Sequence, residues 1–241
     1  MSMLSVRDLE VRHGLLHAVR GVSFDVARGE TVAFVGANGA GKTTLLRAVA
    51  GAHLPVRGTI RFDGADVTQV PSHRRVRQGI ALVPEGRRLF EELSVTENLL
   101  LGRAARNPGA WTLDGVLEAL PQLQPIRNSL AKNLSGGQQQ AVAIGRALMT
   151  NPKLLLLDEI SLGLSPAAVD LVYAAISKLI AASTTIMLVE QNLDRALSVA
   201  DRIICLLEGR LALEGEAKQL QRDRITEAYF GLDRNQTEGV H

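Results

Sequence analysis

The chain has little that would tie it to an oxidising compartment, to nucleic acid or to a membrane interior. Cys205 is its one cysteine in 241 residues, so no disulfide can form within it, which suits a reducing compartment. Cys205 sits in the apolar run Ile203, Ile204, Cys205, Leu206, Leu207, where a small buried strand residue is expected rather than a reactive thiol. Charge is nearly balanced, with 27 Lys+Arg against 25 Asp+Glu for a formal +2, too slight to imply a nucleic-acid partner. No apolar stretch nears the roughly 18 charge-free residues of a membrane span, and the N-terminus lacks the apolar core expected of a signal peptide. Repeats and low-complexity linkers are also missing. Work at a membrane would therefore need another chain to hold this one there. What remains is an ordinary globular balance, 46% hydrophobic and 22% charged, in a length that suits one large domain or two small ones.

The most informative stretch is Gly36 to Thr44, GANGAGKTT. It follows the β-branched run Thr31, Val32, Ala33, Phe34, Val35 and opens a helical pattern carrying Leu45, Leu46, Ala48 and Val49. Strand, glycine-rich loop and helix form the context a phosphate-binding loop requires. Gly36, Gly39 and Gly41 allow successive N–H groups to turn inward around a phosphate, with Asn38 and Ala40 between them. The loop ends at a helix N-terminus, where bare N–H groups and the helix dipole favour an anion. Lys42 then reaches the β- and γ-phosphates, the Thr43 hydroxyl can bind Mg²⁺, and Thr44 continues the first turn. The pattern arises by accident in roughly one chain in a hundred, and its flanking strand and helix make accident rarer still.

Around this stretch the chain alternates strand and helix. Residues 3–11 and 18–26 read as strands, with His13 between them. Gly51 is a plausible helix C-cap with Pro55 shortly beyond. Residues 58–62 read as a strand closed by an Asp63-Gly64 turn. Arg74, Arg75 and Arg77 read as a solvated helix face, and a short strand over 80–83 ends at Pro84. From 86 to 133 the rhythm changes to a mainly helical insert, broken at Asn107-Pro108-Gly109. A helix is predicted from Ser135, where Ser135 and Gln138 fit a capping box. Leu154 to Leu157 read as a strand buried on both faces. A helix over 167–182, a strand over 184–189, a helix over 193–200, strands over 202–207 and 210–214 and a short helical tail complete an α/β pattern with a largely parallel sheet.

Asp158 closes the buried strand, where a carboxylate can hold Mg²⁺ directly or through water beside Thr43. Glu159 points elsewhere and could polarise an attacking water. Leu134-Ser135-Gly136-Gly137-Gln138 places two glycines at the first turn of a helix, a second anion site. One γ-phosphate does not need two cradles in one chain. A two-fold dimer does, with residues 36–43 of one subunit facing the helix at 135 of the other.

LSGGQ just upstream of LLLLDE, together with GANGAGKT, resembles the nucleotide-binding subunit of an ATP-binding-cassette (ABC) transporter, over nearly the whole chain. The resemblance implies the P-loop ABC-ATPase fold: a mainly parallel sheet, an N-terminal antiparallel β subdomain and an inserted helical subdomain. It divides the chain into a nucleotide-binding core, residues 1–84 and 150–241, and a helical subdomain, 85–149, which includes the signature. It implies that Lys42 and Thr43 bind phosphate and Mg²⁺, that Asp158 holds the metal and that Glu159 is the catalytic base. Ser135, Gly136, Gly137 and Gln138 then clamp the partner's ATP. The implied work is hydrolysis of ATP to ADP and phosphate at the cytoplasmic face of the membrane, coupled to solute import. Implied partners are membrane permease subunits, a sibling ATPase in a heterodimer or a second copy, and, indirectly, a solute-binding protein; no nucleic acid is involved. Leu89, Phe90 and Leu93 are the expected apolar anchors for a permease helix, with core packing as the alternative.

Departures narrow the resemblance. Glu85 stands where most members have glutamine, adding negative charge near the metal. Gln191 stands where most have a switch histidine, and Ser165 where most have aspartate. VPEGRRLF with LVEQN is similar to the smaller ATPase of branched-chain amino-acid importers and to relatives that carry urea and short amides. Ile160 replaces a common proline, and His13 replaces the aromatic that stacks on adenine; His13 can stack through its imidazole or be a plain loop histidine. An ABC ATPase of DNA maintenance would need a long coiled-coil insert or a basic groove, which this chain lacks. A regulatory subunit with a weakly active site is the remaining rival. Because an amide cannot titrate where histidine would near its pKa of about 6.5, turnover should show no switch-residue step between roughly pH 6 and 8. An inflection there that Gln191→Ala abolishes contradicts this.

Overall fold

The computed structural model describes residues 2–232. A four-stranded antiparallel sheet runs in the order β2-β1-β4-β5, from β1 (Ser2–His13), β2 (Leu16–Ala27), β4 (Arg57–Phe62) and β5 (Ala65–Asp66). Asp63 and Gly64, both with positive φ (49° and 80°), make the tight turn that pairs Phe62 with Ala65, as such a dipeptide does in hairpins.

The second sheet is built from β3 (Thr31–Val35), β6 (Ile80–Val83), β7 (Leu154–Asp158), β8 (Thr185–Val189), β9 (Arg202–Leu207) and β10 (Arg210–Glu216). Its order is β10-β9-β3-β8-β7-β6, parallel except at the β10 edge. β3, β7 and β8 are buried at every position, the signature of strands covered on both faces. The pleat sends alternate residues to two cores. Leu154 and Leu156 join Val32 and Phe34 beneath the antiparallel sheet and α1 (Lys42–Val49). Leu155 and Leu157 join Ala33 and Val35 on the other side. There they meet α3 (Val95–Leu100), α4 (Leu113–Ala119), α5 (Gly136–Leu148) and α6 (Pro166–Ala181) through Leu99, Val116, Ile144 and Val172. Three 3₁₀ turns, at residues 101–105, 121–126 and 131–133, break the region 86–133 into shorter helical pieces than a simple helical insert suggests. α7 (Leu193–Val199) and α8 (Arg222–Phe230) complete the described chain. Cys205 is fully buried in β9, as its apolar run predicts.

The arginine cluster departs from the solvated face expected of it. Arg75, in α2 (Ser72–Gln78), is 0% exposed. Its guanidinium donates to the carbonyls of Ala48 and Val49, each at 2.8 Å, Val70 at 2.7 Å and Thr68 at 2.9 Å. The Val49 carbonyl, at the C-terminus of α1, otherwise needs water or a cap, whereas the Ala48 carbonyl also accepts the Gly51 N–H at 3.1 Å. Burial pulls the Arg75 pKa down to about 10, so the side chain stays charged at neutral pH. Arg75 thus ties α2 to the far end of the phosphate-loop helix. A run of three arginines hides this because only one of them faces inward. Removing it leaves buried carbonyls without partners, so Arg75→Met should lose about 3–5 kcal/mol in urea unfolding; a loss below about 1 kcal/mol would mean the contacts are dispensable.

Candidate functional site

Three neighbouring strands, β3, β8 and β7, end on the same edge of the sheet and deliver the candidate site. After β3 the chain enters Gly36–Gly41. A Cβ on Gly36 would stand 2.2 Å from the Leu206 carbonyl oxygen, and one on Gly41 2.3 Å from that of Ala18. Only glycine fits at either point, and both have positive φ. Lys42 is buried, and its Nζ donates to the carbonyls of Gly36 (2.7 Å) and Ala37 (3.0 Å), arching back over the loop. Burial lowers its pKa, against the opposing pull of Glu159 and Asp158.

Thr43, one step into α1, donates its hydroxyl to Asp158 Oδ1 at 2.8 Å. Asp158 is 0% exposed at the end of β7. Its Oδ2 has no hydrogen-bond partner; the nearest cation is the Arg47 Nε at 4.0 Å. Burial, reinforced by the Glu85 charge, raises the Asp158 pKa, while Thr43 and Arg47 pull the other way. A buried carboxylate oxygen without a donor, beside a hydroxyl, is a donor set that fits a small hard cation. No group of three His, Cys, Asp or Glu suited to a metal occurs among the described residues.

Glu159 follows with a left-handed backbone (φ 46°), an uncommon state for a non-glycine residue. Its N–H donates to the Val189 carbonyl at 3.1 Å. The Gln191 amide, just beyond β8, donates to Glu159 Oε2 at 2.6 Å. Burial raises the Glu159 pKa first, and Glu85 and Asp158 add to the rise against Gln191 and Lys42. The structure therefore brings together Lys42, Thr43, Glu85, Asp158, Glu159 and Gln191. His13 lies alongside: its Nε2 is 3.1 Å from the Thr44 hydroxyl, and its ring meets His53 edge-on at 4.4 Å.

The helix start predicted at Ser135 forms with its capping box. Ser135 caps α5, accepting the Gln138 N–H at 3.3 Å while Gln138 Oε1 accepts the Ser135 N–H at 2.9 Å. Ser135 is exposed. A Cβ on Gly137 would come within 2.6 Å of the Ala168 side chain, so the helix start packs closely on α6. Ser165 caps α6 by accepting the Ala168 N–H, the role an aspartate could also fill. Ile160 is buried. Two residues escaped the sequence reading: Arg47, and Glu190, a buried carboxylate just before Gln191 in the chain. Glu190 carried the same signal as Asp158, an acid closing an apolar strand.

Fold and site define a P-loop nucleotidase. The family model described as ABC transporter matches residues 19–161, more than half of the chain, and the chain belongs to that family. It is 42% identical over 232 residues to a high-affinity branched-chain amino acid transport ATP-binding protein, BraG, of Pseudomonas aeruginosa, covering 95% of this chain and 100% of that one. A second protein of that organism and description, BraF, is 31% identical, covering 95% and 98%. Among solved structures, a nucleotide-free ATP-binding cassette from an ABC transporter superposes with TM-score 0.83 at 28% identity, covering 95% of this chain and 99% of that one. A dimeric post-hydrolysis cassette bound to ADP and Pi superposes at 0.79 and 25% identity, covering 90% and 100%.

A carboxylate whose pKa is raised by folding binds its proton more tightly in the native state. Its charge therefore costs stability at neutral pH, and that cost vanishes below both pKa values. Asp158→Asn should accordingly raise the melting temperature of the nucleotide-free chain at pH 8, with the gain shrinking as pH falls through the Asp158 pKa. A lower melting temperature at pH 8, or a gain independent of pH, contradicts this.

Proposed function

We propose that this chain is the ATP-hydrolysing subunit of an importer for branched-chain amino acids, held at the cytoplasmic face of a membrane by permease subunits. The observation that carries the reading is the convergence of Thr43 on Asp158 and of Gln191 on Glu159 at the mouth of the Lys42 loop. ATP would lie with its β- and γ-phosphates in that loop. Mg²⁺, when bound, supplies neutralisation of phosphate charge; Thr43 and Asp158 would hold it, with Glu85 nearby. Glu159 acts as the base for the attacking water, its raised pKa placing it closer to working pH. Gln191 orients that carboxylate and offers a donor toward the γ-phosphate. His13, whose Nε2 lies 3.1 Å from the Thr44 hydroxyl, would stack on the adenine through its imidazole, with a plain loop histidine as the alternative.

Ser135, Gly136, Gly137 and Gln138 complete the site of a partner subunit. Two distinct ATP-binding proteins of one description in Pseudomonas aeruginosa support a sibling as that partner. ATP between the two subunits holds them closed, and loss of the γ-phosphate lets them part.

Movement would reach the permease through a cleft of about 510 Å³ beside α2 and α5. Phe90, Val76, Leu101 and Ala147 give it an apolar lining, with Arg88 and Arg146 alongside, as a groove for a partner helix requires. Of the three expected anchors only Phe90 lines it; Leu89 packs on the core and Leu93 is half-buried. The backbone of Phe90 is fixed by the buried Asn98, which accepts its N–H and donates to its carbonyl, each at 3.0 Å. Arg146 donates to the carbonyls of Arg87 and Arg88, and Arg87 to Gln139, joining the groove to the loop of Glu85 and to the signature helix. Among the described residues no helix is long and apolar enough to cross a membrane.

In the assembled transporter, Glu159→Gln should cut ATP turnover by about 100-fold or more and abolish uptake of leucine, isoleucine and valine, with ATP still bound. Undiminished turnover would mean Glu159 is not the base. Loss of urea or short-amide uptake instead would reassign the solute.

A further inference from the structure

Glu190 is 2% exposed and lies between Val189 and Gln191 in the chain, just past the end of β8. Its Oε1 accepts the backbone N–H groups of Gln191 and Asn192, each at 3.1 Å. The Ser161 hydroxyl, two residues after Glu159, reaches both carboxylate oxygens at 3.0 and 2.9 Å. The Tyr173 hydroxyl, on α6, donates to Oε2 at 2.7 Å. All four donors are neutral, and they come from three separate segments of chain. Glu159 is itself tied to the same strand end, since its N–H donates to the carbonyl of Val189. Without the Glu190 carboxylate, two backbone N–H groups and two hydroxyls would lose the acceptor they share.

We propose that Glu190 is a positioning residue for ATP hydrolysis: it stitches the segment after Glu159 to the backbone of Gln191 and so fixes the 2.6 Å contact between the two side chains. The inference rests on the reading of Glu159 as the base. The left-handed backbone of Glu159 is a conformation that persists only where its surroundings over-determine it. Ser161 and Val189, one after it and one across from it, supply that constraint, and Glu190 anchors the first. The carboxylate also divides its work by atom, with backbone N–H groups on Oε1 and the tyrosine on Oε2. A glutamine can reproduce this division. Its oxygen would take the backbone N–H groups, and its NH₂ would donate to the Tyr173 and Ser161 hydroxyls, which accept as readily as they donate. Alanine can reproduce none of it. Because its hydrogen-bond donors are neutral, the role is assigned to hydrogen-bond geometry, and Glu190→Gln separates this from the pull of its charge on Lys42.

The test measures ATP turnover and melting temperature for Glu190→Gln, Glu190→Ala, Tyr173→Phe and Ser161→Ala in the full chain assembled with its partners. Wild-type turnover that Glu159→Gln removes establishes the underlying reading separately, so its failure is not confused with failure here. Glu190→Ala should lower kcat by about 10- to 100-fold, the cost of misplacing a reacting group, while KM for ATP stays within about 2-fold of wild type. Glu190→Gln should restore most of the turnover. If Glu190→Ala does not fold, Tyr173→Phe and Ser161→Ala carry the test, each lowering kcat without raising KM. Equal loss in Glu190→Gln and Glu190→Ala would assign the role to charge and overturn the proposal. Unchanged kcat in Glu190→Ala, or in both hydroxyl variants, would also overturn it, as would losses that follow melting temperature alone.

Discussion

The hydrogen bond from Thr43 to Asp158 joins residues 115 positions apart, and the remainder of the site depends on the geometry that makes it possible. β3 and β7 flank β8 in a parallel sheet, so all three chains leave the sheet at one edge. The phosphate loop leaves from β3, the two acids from β7, and Glu190 with Gln191 from β8. Parallel pairing requires the strands to be buried on both faces, which accounts for the unbroken apolar runs. That same burial withdraws water from the carboxylates at the strand ends. Asp158 and Glu159 are therefore held above their usual pKa range by the sheet that places them. Stability is given up locally so that charge stands ready where a cation and a water are to be handled.

Neither anion cradle is complete in one chain on this account. The loop around Lys42 holds its buried lysine against the Gly36 and Ala37 carbonyls, whereas the helix start at Ser135 is exposed and already capped by its own Gln138. Two copies of such a surface, or a copy and a sibling, supply each other with the missing half, the arrangement a two-fold axis closes in one step. Side chains that bridge elements make the response a rigid one. Arg75 binds α2 to the end of α1, and Arg146 and Arg87 bind the loop of Glu85 to α5. These contacts tie together elements that lie between the phosphate loop and the Phe90 cleft.

Much of this was legible in the sequence, and for identifiable reasons. Buried parallel strands announce themselves as apolar runs, so 80–83, 154–158 and 202–207 were readable to within a residue. The Ser135–Gln138 capping box marks its helix start without tertiary help, because every atom in it is local. Contacts formed across the fold were harder to see. Arg75 belongs to a basic cluster whose neighbours are solvent-facing, and no local pattern distinguishes the one that turns inward. Glu190 was overshadowed by Gln191, although it ends an apolar strand just as Asp158 does. Leu89 and Leu93 were grouped with Phe90 by composition, yet packing draws one into the core, half-buries the other and leaves Phe90 to the cleft. The left-handed backbone of Glu159 has no sequence signal, since glutamate rarely adopts it.

The central claim is that the signature helix meets the phosphate loop of another subunit and not its own. Cys205 is buried, so cysteines introduced by Asn38→Cys and Ser135→Cys, both at exposed positions, report that meeting by disulfide formation. In chains also carrying Glu159→Gln, paired with a second copy or with a sibling given the two matching cysteines, ATP should produce a disulfide between subunits, and its removal should prevent one. A disulfide within a single chain, or one between chains that forms equally well without ATP, would contradict it.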